Sequence, residues 1–135
     1  MARAFVDTNV LIYLMSADAA RADRAEAVIG ADAVSSVQVF NEMANVARRK
    51  LGMGWQELDE FLGLVRALCP PEPLTLATHD RGRQIAERYQ LSVYDAMIVA
   101  SALLAGCDVL YSEDMQHGLV IEGQTRICNP FSETS

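Results

Sequence analysis

Phe5-Val6-Asp7-Thr8-Asn9-Val10-Leu11-Ile12-Tyr13 is the stretch that decides how the rest of the chain reads. Ala4-Phe5-Val6 is a short apolar run, and Asp7-Thr8-Asn9 are turn and N-cap residues. The spacing predicts a strand that hands over at Asp7 to a helix across Val10 to Met15. The same phrase recurs downstream. Ala33-Val34 runs into Ser35-Ser36, where Gln38 stands three residues after Ser35 in the capping-box pattern, opening a helix that continues to about Lys50 and Gly52. Leu74-Thr75-Leu76 reads as a strand, with Thr78 capping a helix through Tyr89. Val109-Leu110-Tyr111 reads as a strand running into the polar turn Ser112-Glu113-Asp114, and Arg126 to Cys128 as a last edge strand before Pro130.

Further helices lie between these strands. Ala19 to Ile29 is helical by composition and stopped by Gly30. Trp55 to Leu68 is amphipathic, with Trp55, Leu58, Phe61, Leu62 and Val65 on one face, and Pro70-Pro71 and Pro73 end it. Ser92 to Leu104 is an apolar helix ended by Gly106. Short apolar strands alternating with helices predict an α/β fold, a short parallel sheet covered by helices on both faces.

The chain has 135 residues, 51% of them hydrophobic, and reads as a single domain over residues 1–135. That apolar content excludes intrinsic disorder. The longest nearly apolar run, Ala96 to Cys107, has 12 residues, against about 20 for a membrane-spanning helix, so no membrane partner is expected. Val10 to Met15 is too short for the core of an export signal, and Asp7 would interrupt it. Cys69, Cys107 and Cys128 form no CxxC and read as reduced thiols of a cytoplasmic protein. The formal net charge of -7 argues against a generic nucleic-acid binder. It also raises the question of which acids converge on a cation.

Hard divalent cations such as Mg²⁺ take oxygen ligands and keep several waters, so a few carboxylates from separate elements suffice. In a parallel sheet the functional crevice lies at the carboxyl ends of the strands. Asp7 and Asp114 fall there. Asp95 lies in Ser92-Val93-Tyr94-Asp95, at the head of the apolar helix. Spacing alone favours a capping box for it, with a rigidly held metal ligand as the other reading. For Glu42, periodicity places Val37, Phe40, Ala44 and Ala47 on an apolar stripe and Gln38, Glu42, Asn45 and Arg49 on a polar one. That polar stripe is either a solvated face or the wall of a cleft, and spacing does not choose between them.

Four segments together resemble the PIN-domain nucleases. Phe5 to Tyr13 resembles the family's opening motif, an apolar strand delivering Asp-Thr-Asn to a helix. Ser35-Ser36-Val37-Gln38-Val39-Phe40-Asn41-Glu42 resembles the second, a strand end followed by a helix bearing the glutamate. Leu91 to Ala100 resembles the third, whose Asp starts the buried helix, and Leu110-Tyr111-Ser112-Glu113-Asp114-Met115 the fourth, a strand leading to Ser/Thr-x-Asp. The resemblance spans essentially the whole chain, and this compact form is similar to the VapC-type ribonuclease toxins of toxin–antitoxin pairs.

The resemblance implies Mg²⁺- or Mn²⁺-dependent cleavage of RNA, with Asp7, Glu42, Asp95 and Asp114 as the acidic, metal-holding set. Thr8, Asn9 and Ser112 match accessory polar positions. A cognate antitoxin is implied as partner, and so is a homodimer formed through the Trp55–Leu68 helix or its neighbours. Arg48-Arg49-Lys50 suits a helix C-terminus for dipole reasons, with RNA phosphate contact as the functional alternative. His117 is at most a substrate contact. The competing reading is a non-catalytic PIN-like module that binds protein or RNA, against which all four acids stand. A phosphoryl-accepting receiver domain would want adjacent acids after the first strand and a late lysine, but Lys50 is the only lysine. A haloacid-dehalogenase-type phosphatase would want Asp-x-Asp where Asp7-Thr8-Asn9 stands.

Overall fold

The first strand, β1 (Ala4–Val6), lies in the interior of the sheet, with Phe5 and Val6 fully buried. The computed structural model describes residues 3–132; the outermost positions of the expected single domain, 1–2 and 133–135, lie outside the described residues. β1 pairs in parallel with β2 (Ala33–Ser36) on one side and β4 (Val109–Tyr111) on the other. With β3 (Pro71–Glu72), β5 (Val120–Ile121) and β6 (Thr125–Cys128), the sheet order is β3-β2-β1-β4-β6-β5. Only β5 runs antiparallel among the described strands. The chain moves outward from β1 through β2 to β3, then crosses back to β4. This doubly wound order puts a topological switch point between β1 and β4, where a crevice opens at the strands' carboxyl ends.

The helices are α1 (Thr8–Ile12, continued by a 3₁₀ turn over Tyr13–Met15), α2 (Ala19–Val28), α3 (Val37–Arg49), α4 (Trp55–Leu68), α5 (Leu76–Tyr89) and α6 (Val93–Leu104). α6 is buried without interruption from Ala96 to Leu103. Its near-uniform apolar surface therefore forms the centre of the helical packing rather than one amphipathic wall. No helix among the described residues is long and apolar enough to cross a membrane.

Several local expectations shift. Leu74-Thr75-Leu76 is not a strand; Pro71–Glu72 pairs with Ser35–Ser36 instead. A proline is tolerated there because it opens an edge strand, and Thr75 becomes the N-cap of α5, exchanging bonds with Thr78. β6 is not the edge. β5 folds back on it through Glu122 and Gly123, at φ of 51° and 68°, the left-handed pair of a tight hairpin. On α3 the N-cap is Ser36, not Ser35, whose hydroxyl instead donates to the Val6 carbonyl at 2.9 Å. The buried stripe of α3 is Val39, Met43 and Ala47, while Val37 is exposed. Trp55 also leaves the predicted face of α4. It is 66% exposed, with the Arg48 guanidinium 4.1 Å over its ring.

α5 and α6 approach closely at Gly82, where a side chain would meet that of Met97. A Cβ there would lie 2.6 Å from the Met97 sulfur and 3.4 Å from the Met97 Cα. The Cα distance is ordinary contact, so it is the end of the Met97 side chain, with its methyl at 2.9 Å, that would have to move. Gly82→Ala is expected to cost about 1–3 kcal/mol through overpacking. A double-mutant cycle with Met97→Ala should show favourable coupling in chemical denaturation, and strict additivity would place the crowding elsewhere.

Candidate active site

Asp7 is delivered by the end of β1 and serves as the N-cap of α1, accepting the Thr8 N–H at 2.7 Å. Its other oxygen accepts the Ser112 hydroxyl at 2.8 Å, from the turn after β4. Thr8 donates its hydroxyl to Glu42 Oε1 at 2.9 Å, and Gln38 donates to Glu42 Oε2 at the same distance. Glu42 is therefore turned into the crevice and not into bulk solvent. Of the polar stripe of α3, Gln38 and Glu42 are half-buried at this crevice, while Asn45 and Arg49 are exposed. Asn9 donates to Asp114 Oδ2 at 2.6 Å, and Asp95 sits in the first turn of α6, its N–H capped by the Ser92 hydroxyl at 3.2 Å.

The electrostatics tie these acids to one another. Burial pushes Asp7 up to about 6; the charges of Glu42 and Asp95 add to the rise, while the Thr8 and Ser112 bonds oppose it. Asp95 is raised chiefly by burial, then by Glu42 and Asp114. Asp114 is raised by burial, then by Glu113 and Glu42. Like charges are thus held in mutual reach in a partly desolvated crevice.

The donor chemistry fits a hard divalent cation, since every facing group offers oxygen and the acids repel one another. Among the described residues no group of three acids, histidines or cysteines is gathered closely enough to enclose an ion. A fit would therefore be one or two carboxylates completed by water, the manner in which Mg²⁺ is commonly held.

Asp7 also carries a stability consequence. Its native carboxyl holds a proton to higher pH than an unfolded one, so its contribution is fully present below about pH 4 and lost as pH rises through about 6. Ionised Asp7 then costs the fold roughly 3 kcal/mol. Asparagine keeps the capping oxygen and carries no charge. Asp7→Asn is expected to melt several degrees above wild type at pH 7 without metal, with the gap closing near pH 4. A gap independent of pH would remove burial of this charge as its cause.

Of the other predicted contacts, Arg48 donates to the Met53 carbonyl at 2.7 Å, closing the α3–α4 turn. Arg49 and Lys50 are exposed at the end of α3. His117 accepts the Asn129 N–H on Nδ1 at 2.9 Å, which places its proton on Nε2 and ties it to the chain after β6. Sequence reasoning missed Gln38 as a support of Glu42. It also missed Tyr13 and Arg21, which donate to Glu113 at 2.8 and 2.7 Å. No sequence signal marks such partners, since Tyr13 and Glu113 are 100 residues apart.

The fold is a doubly wound α/β domain with Asp7 and Asp114 at the carboxyl ends of neighbouring strands β1 and β4. The PIN domain family profile matches residues 4–118, and the chain belongs to that family. Among solved structures it is similar to a toxin–antitoxin complex from Klebsiella pneumoniae, at a TM-score of 0.71 and 21% identity, over 95% of this chain and 98% of that one. It is also similar to Mycobacterium tuberculosis VapC20, a sarcin-ricin loop cleaving toxin, at 0.66 and 20%, over 82% and 89%. A third is VapBC2 from Rickettsia felis, bound to a DNA fragment of its promoter, at 0.65 and 12%, over 93% and 98%. At these identities the likeness is one of fold. No curated protein matches the chain by sequence.

Proposed function

We propose that this chain is a metal-dependent endoribonuclease, the toxin of a toxin–antitoxin pair, hydrolysing RNA phosphodiester bonds at Asp7, Glu42, Asp95 and Asp114. The observation that carries this reading is an oxygen-lined crevice in a PIN domain in which Asp7 is buried and the carboxyls of Asp7, Asp95 and Asp114 are all raised by loss of solvent and by neighbouring acids. Bound Mg²⁺ or Mn²⁺ would supply Lewis acidity at the scissile phosphate and a water of lowered pKa.

The chain's own residues prepare for that task. Ser112 and the Thr8 N–H fix both oxygens of Asp7, and Thr8 with Gln38 fixes both oxygens of Glu42. Their rotamers are set before any ligand arrives, so little side-chain entropy remains to be lost. Asn9 holds one oxygen of Asp114 and leaves the other unclaimed by it.

An antitoxin would restrain such an enzyme by placing a cationic side chain among these acids, through charge-assisted hydrogen bonds. The toxins in the Klebsiella and Rickettsia structures are seen in complexes of this kind of pair. Self-association would use the exposed apolar side chains of α4, Trp55, Leu64 and Leu68. The non-catalytic alternative leaves unexplained why acids that destabilise the crevice are all in place.

The test is cleavage of a structured RNA by the purified chain, with Mg²⁺ or Mn²⁺ and with chelator, beside a thermal melt in each condition. Metal-dependent cleavage and a metal-raised melting temperature are expected, because binding to the native state alone stabilises it. An inert chain whose melt ignores millimolar metal would end this reading.

A further inference from the structure

Glu113 stands beside Asp114, and its charge is felt there. It nevertheless does not join the other acids, because both its oxygens are taken. The Tyr13 hydroxyl donates to Oε1 at 2.8 Å and Arg21 Nη1 donates to Oε2 at 2.7 Å. Arg21 is itself fixed. Its guanidinium lies 4.9 Å from the Tyr13 ring centre and 5.1 Å from that of Phe131, and these rings meet edge to face at 4.8 Å. Asp18, the N-cap of α2, approaches Arg21 Nε at 3.8 Å. Arg24, on the same helix, donates to the Pro130 carbonyl at 2.7 Å and holds the chain after β6 against α2.

We infer that Arg21, seconded by the Tyr13 hydroxyl, is a positioning residue that keeps Glu113 out of the acidic crevice, so that the turn after β4 presents Asp114 alone. The inference rests on the nuclease reading and adds to it the device that selects one of two adjacent acids. A released Glu113 would have a longer, freer side chain than Asp114. With Arg21 gone its charge would also be uncompensated, adding a fifth acid to a crevice that already repels itself. Such an acid competes with Asp114 for a cation in the crevice, so the cation is held more tightly but in the wrong place. The bland alternative is that Arg21 merely staples α2 to the residues after β6.

The experiment measures Mn²⁺ affinity by calorimetry and RNA cleavage for wild type, Arg21→Gln, Glu113→Gln and the double variant. Arg21→Gln is expected to bind Mn²⁺ several-fold more tightly while cleaving about tenfold more slowly, a split that lost folding does not produce. Glu113→Gln should stay near wild type, and the double variant should recover both quantities. A double variant no better than Arg21→Gln, with Mn²⁺ affinity unchanged throughout, would show a staple and overturn the inference. Should Arg21→Gln fail to fold, Tyr13→Phe removes the other hold and is expected to move both quantities the same way, to a smaller extent; no movement in either overturns the inference. A wild-type chain that neither binds Mn²⁺ nor cleaves RNA ends the nuclease reading and this inference together. One that does both and ignores these substitutions ends the inference alone.

Discussion

Asp7→Asn yields a folded protein that melts higher than wild type and cleaves RNA slower by about two to four orders of magnitude. On the nuclease reading, the expected size follows from removing one charged oxygen where a metal would stabilise several kcal/mol of transition-state charge. The variant isolates charge from shape. Asparagine can still accept the Thr8 N–H, preserving the cap of α1, and it occupies nearly the same volume in a site only 6% exposed. Stability and activity should therefore move in opposite directions, as where a functional group is kept against the interest of the fold. Initial rates at saturating Mn²⁺, beside circular dichroism melts, read both. An active Asp7→Asn protein would place the essential acid elsewhere.

The second large effect separates neighbours. Asp114→Asn is expected to lower turnover by about two to three orders of magnitude, whereas Glu113→Gln keeps most of it. Asp114 is turned toward α1 by Asn9 at 2.6 Å, while Glu113 points toward Tyr13 and Arg21. Side chains that alternate along β4 diverge beyond its end, and the turn preserves that divergence. Cleavage assays on both purified variants check it. An inactive Glu113→Gln beside an active Asp114→Asn would mean that the register of this turn is wrong.

Most of the architecture could be read from the chain because its strands end in polar punctuation, as at Val6-Asp7 and Tyr111-Ser112. What could not be read has a common cause. Ser35 and Ser36 carry the same capping signal, and only the pairing of β2 against β1 and β3 decides which one faces the helix. α3 has apolar residues on more than one face, so periodicity allowed a stripe through Val37 where packing chose Val39, Met43 and Ala47. Pro71 reads as a breaker until an edge position makes it harmless. At the candidate site, position along the strands indicated Asp7 and Asp114, while Asp95 and Glu42 needed the pattern of the whole family. The supports, Gln38, Tyr13 and Arg21, depend on elements meeting in space and left no trace in local spacing.

The bonds that join Asp7 to Ser112 and Asn9 to Asp114 each span 105 residues. β1 also has no partner on one flank until β4 exists, and β4 has none on its far side until β6 follows. A ribosome adding roughly 5–20 residues per second spends on the order of ten seconds on such a chain. For most of that time Asp7 is already made, while the hydroxyl that orients it and Asp114 are not. On the nuclease reading, the crevice therefore stays incomplete until β4 and the turn after it have been made, late in the chain's synthesis.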